Sequence, residues 1–190
     1  IQVVGEDVPR FGGDCMSEGL VLIHLAPSAL LTHVEWTISG ISGNPTRINW
    51  VKDDSSQNSF RGSVAVDCSL GEAATLSSAF MNLKQISFEV IHQSETAGAR
   101  WSFTPSLGMF HCATDAAGNL VVNENQLRAS IERAGSNILR LQAELRKLLG
   151  QAWDDELEPY RELIGGTESN HGVVSTEAEG ISYSQNVRPL

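Results

Sequence analysis

Basic residues are scarce. Thirteen Lys and Arg stand against 23 Asp and Glu, a formal net charge of −10. Phosphate contacts need clustered cations, so this balance argues against nucleic acid as a partner. It argues equally against electrostatic binding to anionic lipid. An acidic chain favours basic partners, although the same charge also serves solubility. Cysteine is sparse too: Cys15, Cys68 and Cys112 are an odd number at wide spacing, with no CxxC pair. That leaves no basis for a zinc knuckle or a redox dithiol, and free thiols in a reducing cytosol are expected. No apolar run approaches the roughly 18 residues of a bilayer-spanning helix. No basic-plus-apolar signal peptide is visible. GxxxxGK[ST], GxGxxG and GxSxG are all missing, so no phosphate loop, dinucleotide fingerprint or nucleophile elbow is present. Neither a cofactor nor a metal is expected, and the chain reads as cytoplasmic.

What is present is a core. The chain is 41% hydrophobic over 190 residues, enough for one domain with tails. Residues 1–17 read as a polar N-terminal arm, 18–164 as the domain, and 165–190 as a polar C-terminal tail expected to be disordered alone. Leu20 to Leu25 is apolar on both faces, as in an interior strand. A helix follows Pro27, with Leu30, Leu31, Val34, Ile38 and Ile41 on one side. Gly40, Gly43 and Pro45 end it. Residues 47–52 form a short strand. Phe60 to Cys68 alternates with period two. Ser69 and Glu72 make a capping box that opens a second helix, and 85–92 is another strand. This order, strand-helix-strand-strand-helix-strand, predicts an α+β fold with a ferredoxin-like split βαβ core. Further strands are expected around Trp101 and Phe103 and in a hairpin flanking Asp115 to Asn119. A third helix, capped by Asn123 or Asn125, carries Leu127, Ile131, Ala134, Ile138, Leu141, Leu145 and Leu148. The unbroken 4-3 spacing is a heptad seam about three repeats long. It packs either within the chain or as a homodimer through the 127–148 helix.

Candidate polar residues are His24, His33, Glu35, Trp36 and His111. His24 ends the first strand and His33 lies in the following helix, so both approach one strand-to-helix turn. A general base with an orienting carboxylate would suit that place. However, residues two apart on a helix point about 200° apart, so His33 and Glu35 do not face each other. His111 and Cys112 are neighbours in a strand and point to opposite faces. With no HxH or HxxxH spacing, a metal site through His24, His92 and His111 finds no support. No residue is assigned as catalytic.

The most informative segment is Trp153-Asp154-Asp155-Glu156-Leu157-Glu158-Pro159-Tyr160-Arg161. Its acids are interleaved with large apolar residues. Such a strip suits docking, with anchors to bury and acids to steer a basic partner. Trp153, Leu157 and Tyr160 also fit one helical face, interrupted by Pro159, which would staple the strip onto the protein's own core. Both uses stay open. The contact residues expected are Trp153, Asp154, Asp155, Glu156, Leu157, Tyr160 and Arg161.

Four segments together resemble a family: Gly19 to His24, His33 to Trp36, Phe103 to His111, and Trp153 to Arg161, the last being the most specific. They resemble an uncharacterised family of actinobacterial proteins, a domain of unknown function, over roughly residues 18–164. The resemblance implies a cytoplasmic actinobacterial origin and no known activity. The expected function is a non-catalytic protein-binding or assembly protein. It would be an accessory subunit of a larger cytoplasmic complex, contacting its partner through 153–161 and the tails. Alternatives are a small-molecule-sensing regulatory domain and an enzyme using His24, His33 or His111.

Overall fold

The computed structural model describes residues 17–53 and 58–165, with side chains through Arg161. The expected arms therefore lie almost wholly outside the described residues. The described residues form an α+β fold, with seven antiparallel strands in one sheet and five α-helices. Strand β1 (Glu18–Pro27) leads through a short 3-10 turn, Ser28–Leu30, into α1 (Leu31–Ser42). Then come β2 (Val51–Lys52), β3 (Ser59–Asp67), α2 (Leu70–Leu83) and β4 (Ser87–Gln93). Next are β5 (Ala97–Thr104), β6 (Gly108–Asp115) and β7 (Leu120–Val121), followed by α3 (Glu124–Ala134), α4 (Ile138–Leu148) and α5 (Gln151–Gly165). The sheet order is β2-β3-β1-β4-β5-β6-β7.

Local chemistry accounts for the element ends. The Ser69 hydroxyl accepts from the Glu72 amide, and Glu72 reaches back to the Ser69 amide, the capping box expected from the sequence. Asn123 caps α3 by accepting from Asn125 N–H. Helix α1 passes through Gly40 and ends at Gly43, in the left-handed conformation. The β6–β7 hairpin closes on the Asp115 carboxylate, which accepts from the amides of Ala117 and Asn119.

One sheet face carries α1 and α2. Val21, Ile23, Phe88, Val90 and Phe103 meet Val34, Ile38, Leu76 and Phe80 there in one core cluster. Phe88 lies edge-on to Phe80 at 5.3 Å between ring centroids and stacks on Phe103 at 5.4 Å. Cys68 is a buried free thiol of this core. The opposite face is covered by α5, so β1 is an interior strand as its sequence predicts. Leu20 nonetheless retains 38% exposure.

Two expectations for the C-terminal helices need correction. The 127–148 seam is not one helix. Gly135 adopts φ +57° and the chain turns back, with Asn137 capping α4. Leu127 to Leu148 therefore forms an αα-hairpin, in which Arg133 pairs with Glu144 at 2.7 Å and Ser130 and Ala134 are buried. Nor does Pro159 interrupt the acidic strip, because α5 runs through it. Gly150 joins α4 to α5 at φ +71°, with the Phe110 ring so close that a Cβ would fall 2.5 Å from it. Only glycine meets both constraints.

Candidate functional site

The residues singled out by sequence separate into three places. At the first, α5 lies across the sheet. Leu157 is fully buried. Trp153 stacks on Phe110 at 5.1 Å and donates from its indole nitrogen to the Gly108 carbonyl at 2.9 Å. The Ser106 hydroxyl bonds the Glu156 carboxylate at 2.7 Å. The anchors of the strip thus staple α5 to its own sheet, one of the two uses the sequence leaves open. Asp155 and Glu158 are the acids left facing solvent.

Beneath α5 is a polar node that the sequence reading missed. Register irregularities in β1 just after Ile23 mark a bulge. There His24 lies on the face of Glu89, and both side chains are buried. The imidazole Nε2 donates to Glu89 Oε2 at 3.0 Å. Ser102 donates to Oε1 at 2.8 Å. Arg161 reaches in from α5 with Nε on Oε2 at 2.9 Å and Nη2 on Oε1, a side-on fork. The same guanidinium holds Asp154 at 2.8 Å and Glu158 at 3.2 Å. Arg100 approaches Asp154 at 3.4 Å. Burial alone would raise the Glu89 carboxyl. The hydrogen bonds and charges of His24 and Arg161 prevail and hold it far below its ordinary range. Arg161 is pushed up in turn, chiefly by its bonds to Glu89. A carboxylate so strongly held is a poor base, and the arginine is fully engaged. Chemically, the node is a fastener. Its sequence signal is Glu89 itself, an acid between Phe88 and Val90 in a strand where an unpaired charge would be costly.

The second place is the loop after α1. Glu35 is buried. It accepts from Ile48 N–H at 3.1 Å, the Trp50 indole at 3.1 Å and Arg47 at 2.9 Å. Burial alone would push its carboxyl up, but these bonds hold it below its ordinary value. Glu35 thus clamps residues 47–50 to α1. Glu35→Ala strands a buried amide and an indole N–H. It should cost about 1–3 kcal/mol, read as a lower urea midpoint. His33 and Trp36 point the other way and lie in solvent with their rings tilted at 44° and 6.0 Å apart.

Third, His111 is exposed and stacks on Trp101 at 4.9 Å, while Cys112 beside it is buried. Burial raises the Cys112 thiol against the opposing pull of Arg100, so it is no activated nucleophile. The three histidines of the enzyme alternative are not brought together. His24 is packed, His33 is exposed on α1, and His111 is on β6, three strand positions from β1 or roughly 14 Å. Among the described residues, no group of three or more His, Cys, Asp or Glu could hold a metal.

Two concavities flank α4. One, of about 460 Å³, lies between the β6–β7 hairpin and the α3–α4 hairpin. The other, about 940 Å³ and open, lies between α4 and α5. Leu139, Ala143, Arg146, Lys147, Trp153 and Asp155 line it. A family model described as "Protein of unknown function (DUF3145)" matches residues 20–171. The chain belongs to that family. The matched range covers the node, the α3–α4 hairpin and all but the first two residues of the sheet. No curated protein and no solved structure gives a significant match. No helix of the described residues is long and apolar enough to cross a membrane.

Proposed function

We propose that the chain is a non-catalytic protein-binding or assembly protein, an accessory subunit of a larger cytoplasmic complex in an actinobacterial cell. One observation carries this reading: the α3–α4 hairpin leaves large apolar side chains in water. Ile138 is 67% exposed, Leu139 72% and Ile131 51%, and α4 has no buried residue. Exposed apolar surface beside a groove is a feature of contact sites. The α4–α5 groove has the form that accepts an amphipathic helix. Two residues of the acidic strip, Trp153 and Asp155, line it together with Arg146 and Lys147. Those two bases favour acidic flanks on the incoming helix. Asp155 and Glu158, both exposed on α5, suit a partner's basic residues, the partner chemistry expected from the strip. The strand order β2-β3-β1-β4, with α1 before β2 and α2 before β4, supports a ferredoxin-like core as the platform.

The test compares affinity-tagged full-length protein with its Leu139→Glu variant in the native host. Leu139 is exposed, so the variant should melt at the wild-type temperature. A larger partner recovered stoichiometrically with the wild type and lost with the variant is the expected result. Recovery of the same proteins with both, or of the chain alone, would refute the groove as the contact site.

A further inference from the structure

The outer edge of β6 is open over half its length. β7 pairs with Ala113 and Thr114 alone, so Met109–Cys112 has no strand beyond it among the described residues. An unpaired edge is a template for a further strand. After Val121 the chain leaves the sheet to begin α3 at Glu124. The concavity of about 460 Å³ lies against the edge thus exposed, bordered by Phe110 to Ala113 and by Lys147 and Leu148 of α4. The two faces of the edge differ, because successive side chains alternate. Phe110 and Cys112 point to the α5 side, where Phe110 stacks on Trp153 and Cys112 is buried. His111 and Ala113 point to the other side and are exposed. A strand fitted here needs large apolar side chains at alternate positions and small polar ones between them.

The chain holds such a segment past Gly165. Ile181-Ser182-Tyr183-Ser184-Gln185-Asn186-Val187 has a period of two, with Ile181, Tyr183 and Val187 on one side and Ser182, Ser184 and Asn186 on the other. Gln185 is the one polar residue on the apolar side. The segment has no charge and no proline, and Gly180 and Arg188-Pro189 bound it. No other stretch outside the described residues keeps this pattern over seven positions. Charge agrees with the match. The cleft wall carries Arg133 and Lys147 against Glu144, while Glu177 and Glu179 precede the segment. Reach is sufficient as well. Helix α5 starts beside β6, where Gly150 and Trp153 lie against the Phe110 ring. It then runs to Gly165 over 15 residues, about 22 Å. Residues 166–180 span at most about 50 Å, enough for the chain to double back to β6.

We propose that residues 181–187 add a strand to the open edge of β6 in the same chain. Ile181, Tyr183 and Val187 enter the cleft beside Phe110, Cys112 and Leu148, and main-chain groups extend the ladder. The chain thereby closes an edge that would otherwise pair with other molecules. The proposal is independent of the α4–α5 groove, which lies on the other flank of α4. Hydrogen exchange read by mass spectrometry on the full chain tests it. Amides in 181–187 and at the outer edge of Met109–Cys112 should exchange roughly tenfold or more slowly than in the Tyr183→Asp variant, which puts a charge into the cleft. Ser184→Lys changes the solvent side of the added strand and should leave both segments protected. Both substitutions lie outside the described residues, so the amides of β1 and β4 serve as the internal standard and should not change. Four results would overturn the proposal. They are free-peptide exchange rates in 181–187 of the wild type, edge protection that survives Tyr183→Asp, loss of protection with Ser184→Lys, and protection that falls on dilution of a species of twice 20.5 kDa. The last would assign the strand to a second copy. Leu139→Glu should leave the protection intact, so failure at the groove and failure here remain distinguishable.

Discussion

Arg161→Ala should lower the free energy of unfolding by about 3–5 kcal/mol. The guanidinium does not decorate the surface. Its side chain is 23% exposed and engages a Glu89 side chain that is 1% exposed. Removing it leaves a buried carboxylate with only His24 and Ser102 as partners. That loss is larger than the worth of any exposed pair, such as Arg128 with Glu124 at the start of α3. The pH dependence gives a second, sharper readout. Glu89 is held below its ordinary value of 4.5 in the folded protein. Its contribution is therefore complete above that value and is lost as pH falls below it toward the folded value. Arg161 is held above its ordinary value, so its contribution is intact throughout the acid and neutral range and changes nothing on the acid side. Wild-type stability should decline on acidification below about pH 4.5, and the Arg161→Ala curve should approach it there, since protonated Glu89 no longer misses its partner. Parallel urea titrations at neutral and acid pH decide the matter. A difference between the two proteins that stays constant with pH would mean that Arg161 acts by packing alone.

The same residue shows what could be read from the sequence and what could not. Local chemistry was legible. The capping box at Ser69 and Glu72, the alternation of Phe60 to Cys68, the hairpin around Asp115 and the stop at Gly43 all depend on neighbours within a few positions. The strip 153–161 was legible as a unit with apolar anchors on one helical face. Its attachment was not, because the partner of Arg161 lies 72 positions away and spacing along the chain carries no such information. Glu89 was passed over as the polar position of an alternating strand. Only the closure of α5 over β4 makes it the centre of a network. The seam at 127–148 failed for another reason. A 4-3 repeat is satisfied equally by one long helix and by two helices folded on each other. The choice rests on Gly135 and Asn137, a glycine at positive φ and a cap, which outweigh periodicity. Pro159 misled in the opposite direction, since tertiary contacts from Leu157 and Arg161 hold α5 through a residue that disfavours helix.

Phe88→Ala should be as costly as loss of Arg161, about 3–5 kcal/mol, but for a different reason and on the other side of the sheet. Phe88 is fully buried. It touches Phe80 of α2 edge-on and Phe103 of β5 face to face. Truncation removes both aromatic contacts and leaves a cavity between two layers that cannot close without moving α2. Protonation plays no part in this contact, so the loss should be the same at neutral and acid pH, unlike that of Arg161→Ala. The two substitutions also share no partner. Phe88 faces α2, whereas Arg161 binds Glu89, the next residue along β4, whose side chain projects to the opposite face. Their effects should therefore add to within about 0.5 kcal/mol in the double variant. Strong coupling would show that the sheet transmits strain between its two faces. Additivity would mean that α5 is fastened to a platform whose stability is set on the other side, leaving the α4–α5 groove free to engage a partner without disturbing the core.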